Sequence, residues 1–461
     1  MATERIPTSR TARAAKVGRL AATEAVRHAG THAANLARPP SEARAALERR
    51  HLETADQILT VLGTMKGAAM KLGQMLSFVD LGLVPRDARP EFQRKLAALR
   101  DSAPQVSFGR MMRVLQEDLG RAPSAVFADI DERPIGVASI GQVYRATVRD
   151  GGRAVAIKVQ YPGVAAAVRA DMKNLALIMR LVQRAAPGID GEALAAEIRL
   201  RVGEELDYEL EAANQREFAG AFRDHPFVVI PDAIASLCGK RVLVTDYVEG
   251  SGFEQLKSAP DEVRDRVGEI IYRFFCGTLY RRHAFSGDPH PGNFLLQADG
   301  RVAFFDFGLF KRMDVSSVEL ELACQRAAAE GRAADLHRLM ADADILPDPS
   351  RVPADKLLDY VRDAIGWYLV DEELRLTPEM ATRALIESIA PQSAYFKTFR
   401  HQHLPPEHAL ARRLELFTEA LLGQLRARAN WHRIAREWLY GEPPVTELGE
   451  LEAGFYATAA V

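Results

Sequence analysis

The sequence has few cysteines and almost no net charge, and each shortage excludes a class of protein. Cys238, Cys276 and Cys324 are the only cysteines in 461 residues, and they lie far apart with no paired histidine. Neither a disulfide framework nor a zinc site is therefore expected. The formal net charge of −2 provides no overall basic field, so nucleic acid is not expected as a partner.

Long apolar runs are also missing. No stretch approaches the roughly 18 apolar residues of a membrane-spanning helix, and the N-terminus lacks the continuous apolar segment of a secretory signal. The composition, with 48% hydrophobic and 26% charged residues, is that of an ordinary globular protein with a large core. A cytoplasmic location is therefore predicted, with peripheral membrane contact as the one form of attachment left open.

The N-terminal segment leaves two interpretations open. Between residues 10 and 27 a single acid, Glu24, faces five basic residues, which are Arg10, Arg13, Lys16, Arg19 and Arg27. A helix here would have an alanine-rich face that could rest on an anionic membrane surface. A solvated, partly disordered tail explains the same composition.

Changes in periodicity divide the chain into four segments. In order they are a basic tail, a helical extension, a small sheet lobe with inserted helices, and a helical lobe, at residues 1–40, 41–120, 121–250 and 251–461. The third segment alternates apolar and polar residues, with a hairpin at Gly151-Gly152 and a second one turning at Gly239-Lys240. Helices are predicted at about 164–186 and 190–220. The outline is an α+β fold with a small antiparallel sheet and a larger helical lobe.

A glycine-containing turn joins two of the predicted strands. It consists of Gly136, Val137, Ala138, Ser139, Ile140 and Gly141, a GxGxxG shape with alanine in the middle place. Because it connects strand to strand, it favours a kinase-type loop over phosphates and not a Rossmann site. A plain hairpin loop is the alternative when the turn is considered alone.

A lysine ends the strand VAIK that follows. The Lys158 ammonium can hold phosphate oxygens as a point charge, and its spacing from the glycine turn matches the third strand of a kinase. A surface lysine with a buried stem is the alternative. Further along, Asp207 and Glu211 are i,i+4 on a predicted helix and Asn214 continues their face, opposite Lys158. A solvated acidic face explains those residues equally well in isolation.

The stretch DPHPGNFLLQADGRVAFFDFG carries the strongest signal. Asp288 and Asn293 have the spacing of a catalytic loop, and Asp306 opens an Asp-Phe-Gly. Asn293 and Asp306 would bind Mg²⁺ through oxygen, while Asp288 would orient or deprotonate the attacking hydroxyl or water. His290 lies between two prolines and is interpreted as a packing or hydrogen-bonding residue. No Ala-Pro-Glu follows, so the peptide platform of protein kinases is not expected.

These motifs resemble those of the UbiB/AarF atypical kinases, also called ABC-one kinase-like proteins. The similarity covers about residues 60 to 310, in the sequences MKGAAMKLGQMLS, ASIGQVYRA, VAIKVQYPGV, EELDYELEAANQREF, DPHPGN and FFDFG. The resemblance implies a bilobal protein-kinase-like fold with an N-terminal helical extension. It also implies that a KxGQ motif, here Lys71, Gly73 and Gln74, covers the active site, and that an ExD motif, here Glu205 and Asp207, helps to hold it.

The same resemblance completes the predicted site. Lys158, Glu211 and Asp288 would be catalytic, with Lys158 paired to Glu211. The nucleotide pocket would consist of the glycine turn, Lys158 and a set of residues near the base. This set is Val143, Ala156, Thr245, Asp246 and Val248.

The resemblance also implies a function. We expect an ATP- or ADP-binding, Mg²⁺-dependent atypical kinase or ATPase that supports isoprenoid-quinone (ubiquinone) or lipid metabolism at a membrane surface. Its expected partners are a nucleotide and a lipid or quinone-precursor substrate or effector. A non-catalytic, nucleotide-gated scaffold for biosynthetic partners and a true protein kinase are the alternatives.

Overall fold

The computed structural model describes residues 106–138, 140–169, 203–204, 206–381, 383, 398, 402–403 and 405–459. Several predicted features lie outside the described residues, namely the basic tail, most of the helical extension with Lys71, Gly73 and Gln74, and also Ser139 and Glu205.

Within the described part of the chain, the strands are short and fall into four sheets. In chain order they are β1 (Phe127–Ile130), β2 (Gly136–Ala138), β3 (Gly141–Val148), β4 (Ala154–Gln160), β5 (Val228–Val229), β6 (Val242–Asp246), β7 (Ala284–Ser286), β8 (Phe294–Leu296), β9 (Val302–Phe304), β10 (Phe310–Arg312), β11 (Leu374–Arg375) and β12 (Arg428–Ala429). The largest sheet has the order β1-β3-β4-β6, with β2 paired to β3, and every pairing in it is antiparallel.

Most of the remaining described chain is helical. The helices are α1 (Phe108–Leu119), α2 (Pro123–Val126), α3 (Tyr208–Ala221), α4 (Phe253–Leu256), α5 (Asp261–Tyr272), α6 (Thr278–Arg282), α7 (Val315–Ala329), α8 (Ala333–Asp342), α9 (Ala354–Ile365), α10 (Pro406–Leu425), α11 (Trp431–Leu439) and α12 (Glu447–Ala459). A π-helical turn, Arg273–Gly277, joins α5 to α6. This mixture of helices and antiparallel strands confirms the predicted α+β class.

Strand β4 shows how the sequence determines the central sheet. Val155, Ile157 and Val159 are fully buried, and because successive side chains of a strand alternate between faces, Lys158 points to the opposite side. The Gly151-Gly152 turn before β4 forms as predicted, with both glycines at positive φ, 84° and 65°. Such φ values suit glycine, which has no Cβ to clash with the following carbonyl.

The second predicted hairpin is only partly right. The turn at Gly239 is present, because Gly239 and Val242 exchange backbone hydrogen bonds, and Ala233 bridges Thr245 across it. However, β5 leaves this hairpin and pairs in parallel with β9. The physical reason is burial: Val228 and the preceding Phe227 belong to the hydrophobic core shared with the helical region.

The helix predicted at about 190–220 also needs correction. Residues 203–204 are helical, but the chain leaves helical geometry at Asp207 and α3 begins only at Tyr208. The Asp207 carboxylate accepts hydrogen bonds from the amides of Glu209 (3.1 Å) and Leu210 (3.2 Å). Asp207 is thus an N-cap, satisfying donors that the first helical turn leaves unpaired, and not a member of an acidic helix face.

Strands β7 to β12 of the helical region are short. Strand β10 pairs with β7 directly after the Asp-Phe-Gly, and α7 begins at Val315. No long segment therefore separates the Asp-Phe-Gly from the next helix, as the sequence indicated. Among the described residues, no helix is both long enough and apolar enough to cross a membrane.

Candidate functional site

The side chains of Lys158 and Glu211 meet beneath the central sheet. The Lys158 Nζ lies 2.7 Å from Oε1 of Glu211, and the two side chains are only 17% and 3% exposed. The ammonium also lies 4.9 Å from the centre of the Tyr208 ring, at the start of α3. The predicted contact between Lys158 and Glu211 is thus present, and it joins β4 to α3.

The charge of Lys158 is maintained by its neighbours. Burial on its own lowers the pKa of this ammonium, since the interior disfavours a charge. The carboxylates of Glu211 and Asp306 oppose that effect and raise the pKa of Lys158 well above its usual range. The side chain is therefore a permanent cation at physiological pH, as a phosphate ligand must be.

The Asp306 carboxylate completes this group of charges. Its Oδ2 lies 4.0 Å from the Lys158 Nζ, and the Asp306 side chain is 32% exposed. The backbone of Asp306 is left-handed, with φ 67°, and its Oδ1 accepts a hydrogen bond from the amide of Gly308 at 3.1 Å. The Ser286 hydroxyl, from β7, donates to the Asp306 carbonyl at 3.1 Å. Hydrogen bonds on both sides of the residue thus fix an uncommon conformation, which aims the carboxylate toward Lys158.

Helix α3 also holds the Asp-Phe-Gly segment. Asn214, one turn after Glu211, donates from Nδ2 to the Phe307 carbonyl at 3.2 Å. One turn later, the Phe218 ring centre lies 5.3 Å from that of Phe307. The neighbouring Gln215 is equally buried, but it donates to the Pro231 carbonyl, away from this segment. One face of α3 therefore sets the positions of both Lys158 and the Asp-Phe-Gly.

Asn293, of the predicted catalytic loop, lies close to the Asp-Phe-Gly segment. The Asn293 carbonyl accepts from the amide of Phe305 at 2.8 Å, so Asn293 adjoins the residue before Asp306. The Asn293 Nδ2 donates to the Asp288 carbonyl at 3.1 Å. An amide that donates through nitrogen retains its oxygen as a ligand, and Mg²⁺ in nucleotide sites takes one or two protein oxygens together with phosphates. The pair Asn293 and Asp306 fits that requirement.

The loop histidine has a local role. His290 Nδ1 accepts a hydrogen bond from the amide of Gly292 at 3.0 Å. This agrees with its interpretation as a hydrogen-bonding residue of the turn.

The two glycines of the predicted phosphate loop differ in how much space surrounds them. A Cβ on Gly141 would lie 2.3 Å from the Val159 carbonyl oxygen, a separation that no side chain tolerates. A Cβ on Gly136 would meet the Val143 side chain at 3.8 Å, an ordinary contact. Ile140 is buried at 4% exposure, whereas Val137 is 59% exposed. Only Gly141 is therefore required by packing.

The residues predicted near the base share neighbouring strands. Ala156 pairs with Thr245 across β4 and β6, Val143 of β3 pairs with Lys158, and Val248 follows β6 in the chain. The Asp246 carboxylate is bound by Arg153, with Nη2 to Oδ2 at 2.7 Å. The Asp246 amide donates a hydrogen bond to the Asp232 carbonyl at 3.0 Å. The part of the ExD motif that is described, Asp207, uses its carboxylate as the helix cap.

One charged contact in the site was not predicted. The Arg413 Nη2 of α10 lies 3.3 Å from Oδ1 of Asp288, 125 residues away in sequence. No local pattern marks this arginine, because its contact depends on the packing of α10.

Comparisons with known proteins give a consistent result. The model of the ABC1 atypical kinase-like domain matches residues 98–334. The chain is 32% identical over 278 residues to atypical kinase COQ8B, mitochondrial, of Rattus norvegicus, which covers 60% of this chain and 52% of that protein. It is 33% identical over 259 residues to protein ACTIVITY OF BC1 COMPLEX KINASE 1, chloroplastic, of Arabidopsis thaliana, over 55% of this chain and 37% of that one. The chain thus spans about half or less of these relatives.

A solved structure extends the similarity further along the chain. The Mycobacterium tuberculosis protein Rv3197, determined in complex with erythromycin, superposes with a TM-score of 0.61 at 30% identity. The match covers 88% of this chain and 100% of that one. Together with the domain match, it confirms the predicted bilobal α+β kinase-like fold.

Proposed function

The chain belongs to the ABC1 atypical kinase-like family, the UbiB/AarF type, and on that premise we propose that it binds Mg-ATP. The proposed reaction is phosphoryl transfer, or hydrolysis of ATP, with a lipid or quinone-precursor acceptor or effector at a membrane surface. ADP would occupy the same pocket.

One observation carries the proposal. A buried ammonium, Lys158, lies between two carboxylates of different elements, Glu211 at 2.7 Å and Asp306 at 4.0 Å. A buried ion pair alone is weak support for function, since structural networks use such pairs too. Here, however, Asp306 is also held in a left-handed conformation and is partly exposed, as a residue with a ligand to bind would be.

Each residue has a defined part in the proposed reaction. Lys158 would hold phosphate oxygens, and Glu211 would keep the ammonium in place. Asn293 and Asp306 would bind Mg²⁺, which when bound neutralises charge between the phosphates. Asp288 would accept the hydrogen bond of the attacking hydroxyl and fix its direction.

The acceptor class follows from the short connection after the Asp-Phe-Gly. Strand β10 ends at Arg312 and α7 begins at Val315, which leaves no length of chain there to hold an extended peptide. A small or lipid-like acceptor is thus favoured over a protein. The KxGQ residues Lys71, Gly73 and Gln74, with Glu205 and Asp207, would restrict the pocket further, and the basic N-terminal tail would provide membrane contact.

The test is a thermal-shift titration with Mg-ATP. A ligand at a hundred times its Kd stabilises the folded state by about 2.7 kcal/mol, which is a shift of several degrees in Tm. We expect Asp306→Asn to lose most of that shift. Asp314→Asn, an exposed aspartate before α7, is the matched control and should retain it. A wild type that Mg-ATP does not stabilise would contradict the proposal.

Two further assays on the same purified protein test alternative functions. Phosphate release measured with and without liposomes separates an enzyme from a nucleotide-gated scaffold, which would bind ATP and release no phosphate in either condition. The Rv3197 structure, with its bound erythromycin, motivates a second titration with that macrolide. Stabilisation by erythromycin that competes with Mg-ATP would indicate a macrolide site overlapping the nucleotide pocket.

A further inference from the structure

The contact between Arg413 and Asp288 joins the proposed catalytic loop to a helix that has no other assigned part in the site. The two side chains are 20% and 16% exposed, so the ion pair is partly withdrawn from water. Charged pairs in such surroundings interact more strongly than surface pairs, which are screened by solvent and salt. The pair can therefore contribute to the direction of the Asp288 side chain.

Helix α10 is a rigid support for this arginine. Its apolar side chains Leu410, Leu414 and Leu421 are at most 4% exposed and belong to the main hydrophobic core. The Arg413 guanidinium also lies 4.8 Å from the ring centre of Phe417, one turn along the same helix. Packing of the backbone and a cation–π contact together hold the guanidinium in one place.

The catalytic loop, by contrast, is fixed near Asp288 by backbone contacts. Asn293 holds the Asp288 carbonyl, and the amide of Gly287 donates to the Leu309 carbonyl at 2.7 Å. These bonds locate the main chain of the loop. The Arg413 contact acts on the carboxylate itself.

The charge of Arg413 has a second effect on Asp288. A carboxylate at Asp288 would face a triphosphate, and like charges at short range repel each other. A cation next to the carboxylate offsets that repulsion, so that the carboxylate remains directed at the acceptor when the nucleotide is bound.

We propose that Arg413 is a positioning residue, which orients the Asp288 carboxylate toward the phosphoryl acceptor. This inference rests on the proposed function, because it gives Arg413 no direct contact with nucleotide or acceptor. It predicts a specific division of effects. Removing Arg413 slows the chemical step and leaves nucleotide affinity unchanged.

The experiment compares Arg413→Ala, Arg413→Lys and wild type in phosphate release and in Mg-ATP binding. Misplacing a reacting group by about 1 Å costs up to roughly 100-fold in rate, so we expect kcat of Arg413→Ala to fall by about 10- to 100-fold with an unchanged Kd for Mg-ATP. Arg413→Lys keeps the charge and should recover part of the loss. The double variant Arg413→Ala/Asp288→Asn should be no slower than Asp288→Asn, because residues that act as a unit are not additive.

Arg375→Ala is the matched control. Its guanidinium lies 3.5 Å from the Asp265 carboxylate, with exposures of 30% and 20%, close to those of the Arg413 pair. The variant removes this ion pair and a second one, with Asp261 at 2.9 Å, from the helical region, and it should leave phosphate release unchanged.

The outcomes separate the two proposals. If Arg413→Ala retains wild-type turnover, the positioning role alone is overturned. It is also overturned if Arg413→Ala loses nucleotide binding in parallel, or if Arg375→Ala loses as much phosphate release, since both results would indicate a structural effect. An Asp288→Asn background in which Arg413→Ala still slows the reaction would overturn it as well. A wild type that binds Mg-ATP but releases no phosphate would overturn catalysis and the positioning role while leaving nucleotide binding intact.

Discussion

Replacing Glu211 with glutamine isolates the contact between this carboxylate and the Lys158 ammonium. The substitution keeps the size and one acceptor oxygen of the side chain, but it removes the charge that lies 2.7 Å from the Lys158 ammonium. With an effective dielectric constant of about 20, unit charges at that distance attract by about 6 kcal/mol, and the remaining Asp306 carboxylate at 4.0 Å attracts by about 4 kcal/mol. These are gross energies, which desolvation largely offsets.

The net change in the free energy of unfolding depends on the Lys158 ammonium, which remains buried in the variant. Breaking one side of a buried ion pair commonly costs 3 to 5 kcal/mol, because a charge is left without its partner. Asp306 still compensates Lys158 in part, so we expect Glu211→Gln to lower the free energy of unfolding by about 3 kcal/mol, toward the lower end of that range. The assay is urea unfolding at neutral pH. Glu217→Gln on the same helix breaks a solvent-exposed pair with Arg312 and should cost no more than about 1 kcal/mol.

The pH dependence provides an internal check. The pKa of Lys158 is raised in the folded state, so its contribution is complete below the unfolded-state value of about 10.4 and is lost only as pH rises through the higher folded-state pKa. The difference between wild type and Glu211→Gln should therefore be the same at pH 7 and pH 9. A loss no larger than that of Glu217→Gln would refute the reasoning, because Lys158 would then not depend on Glu211 for its charge.

Two other substitutions test the geometry with matched controls. Gly141→Ala should abolish stabilisation by Mg-ATP, because its Cβ would collide with the Val159 carbonyl at 2.3 Å. Gly136→Ala is the control and should retain that stabilisation. Equal thermal shifts in the two variants would contradict this prediction. Asn214→Ala and Gln215→Ala each strand a buried carbonyl, at a cost of about 1 to 3 kcal/mol. Calorimetry should show weaker Mg-ATP binding only for Asn214→Ala, because only Asn214 holds the Asp-Phe-Gly.

Local pattern was sufficient for the elements that carry the motifs. The alternation in β4 and the glycine hairpin before it predicted the strand that carries Lys158. The contact between Lys158 and Glu211 was also predictable, because a cation opposite an acidic helix reduces its charge repulsion. What each residue does in the reaction remains a prediction from the motifs.

Competing local signals account for the errors within elements. Asp207 was placed on a helix face by its spacing from Glu211, but aspartate before a turn containing Glu209 and Glu211 is also a helix-start signal, and the capping bonds prevail. Likewise, the short apolar segment with Val228 is compatible with a hairpin strand or with a buried parallel strand. Burial against the helical core decided that choice, and no window of sequence contains that information.

Other contacts between distant segments had no signal in the sequence. Arg413 is one of several arginines on helices, and only the packing of α10 brings it to Asp288. The two loop glycines were also indistinguishable in sequence, since the requirement for Gly141 arises from the carbonyl of another strand. Tertiary packing thus determines which members of a motif are essential.

Helix α3 explains why motifs so far apart in sequence can form one site. Glu211, Asn214 and Phe218 follow one another at intervals of three and four residues, so they share a face that contacts Lys158, the Phe307 carbonyl and the Phe307 ring. A shift of α3 by one residue would turn that face by about 100° and break all three contacts together. Lys158 and Asp306 therefore cannot be positioned independently. A rigid motion of α3 that withdraws Glu211 from the lysine would therefore also break the contacts of Asn214 and Phe218 with Phe307.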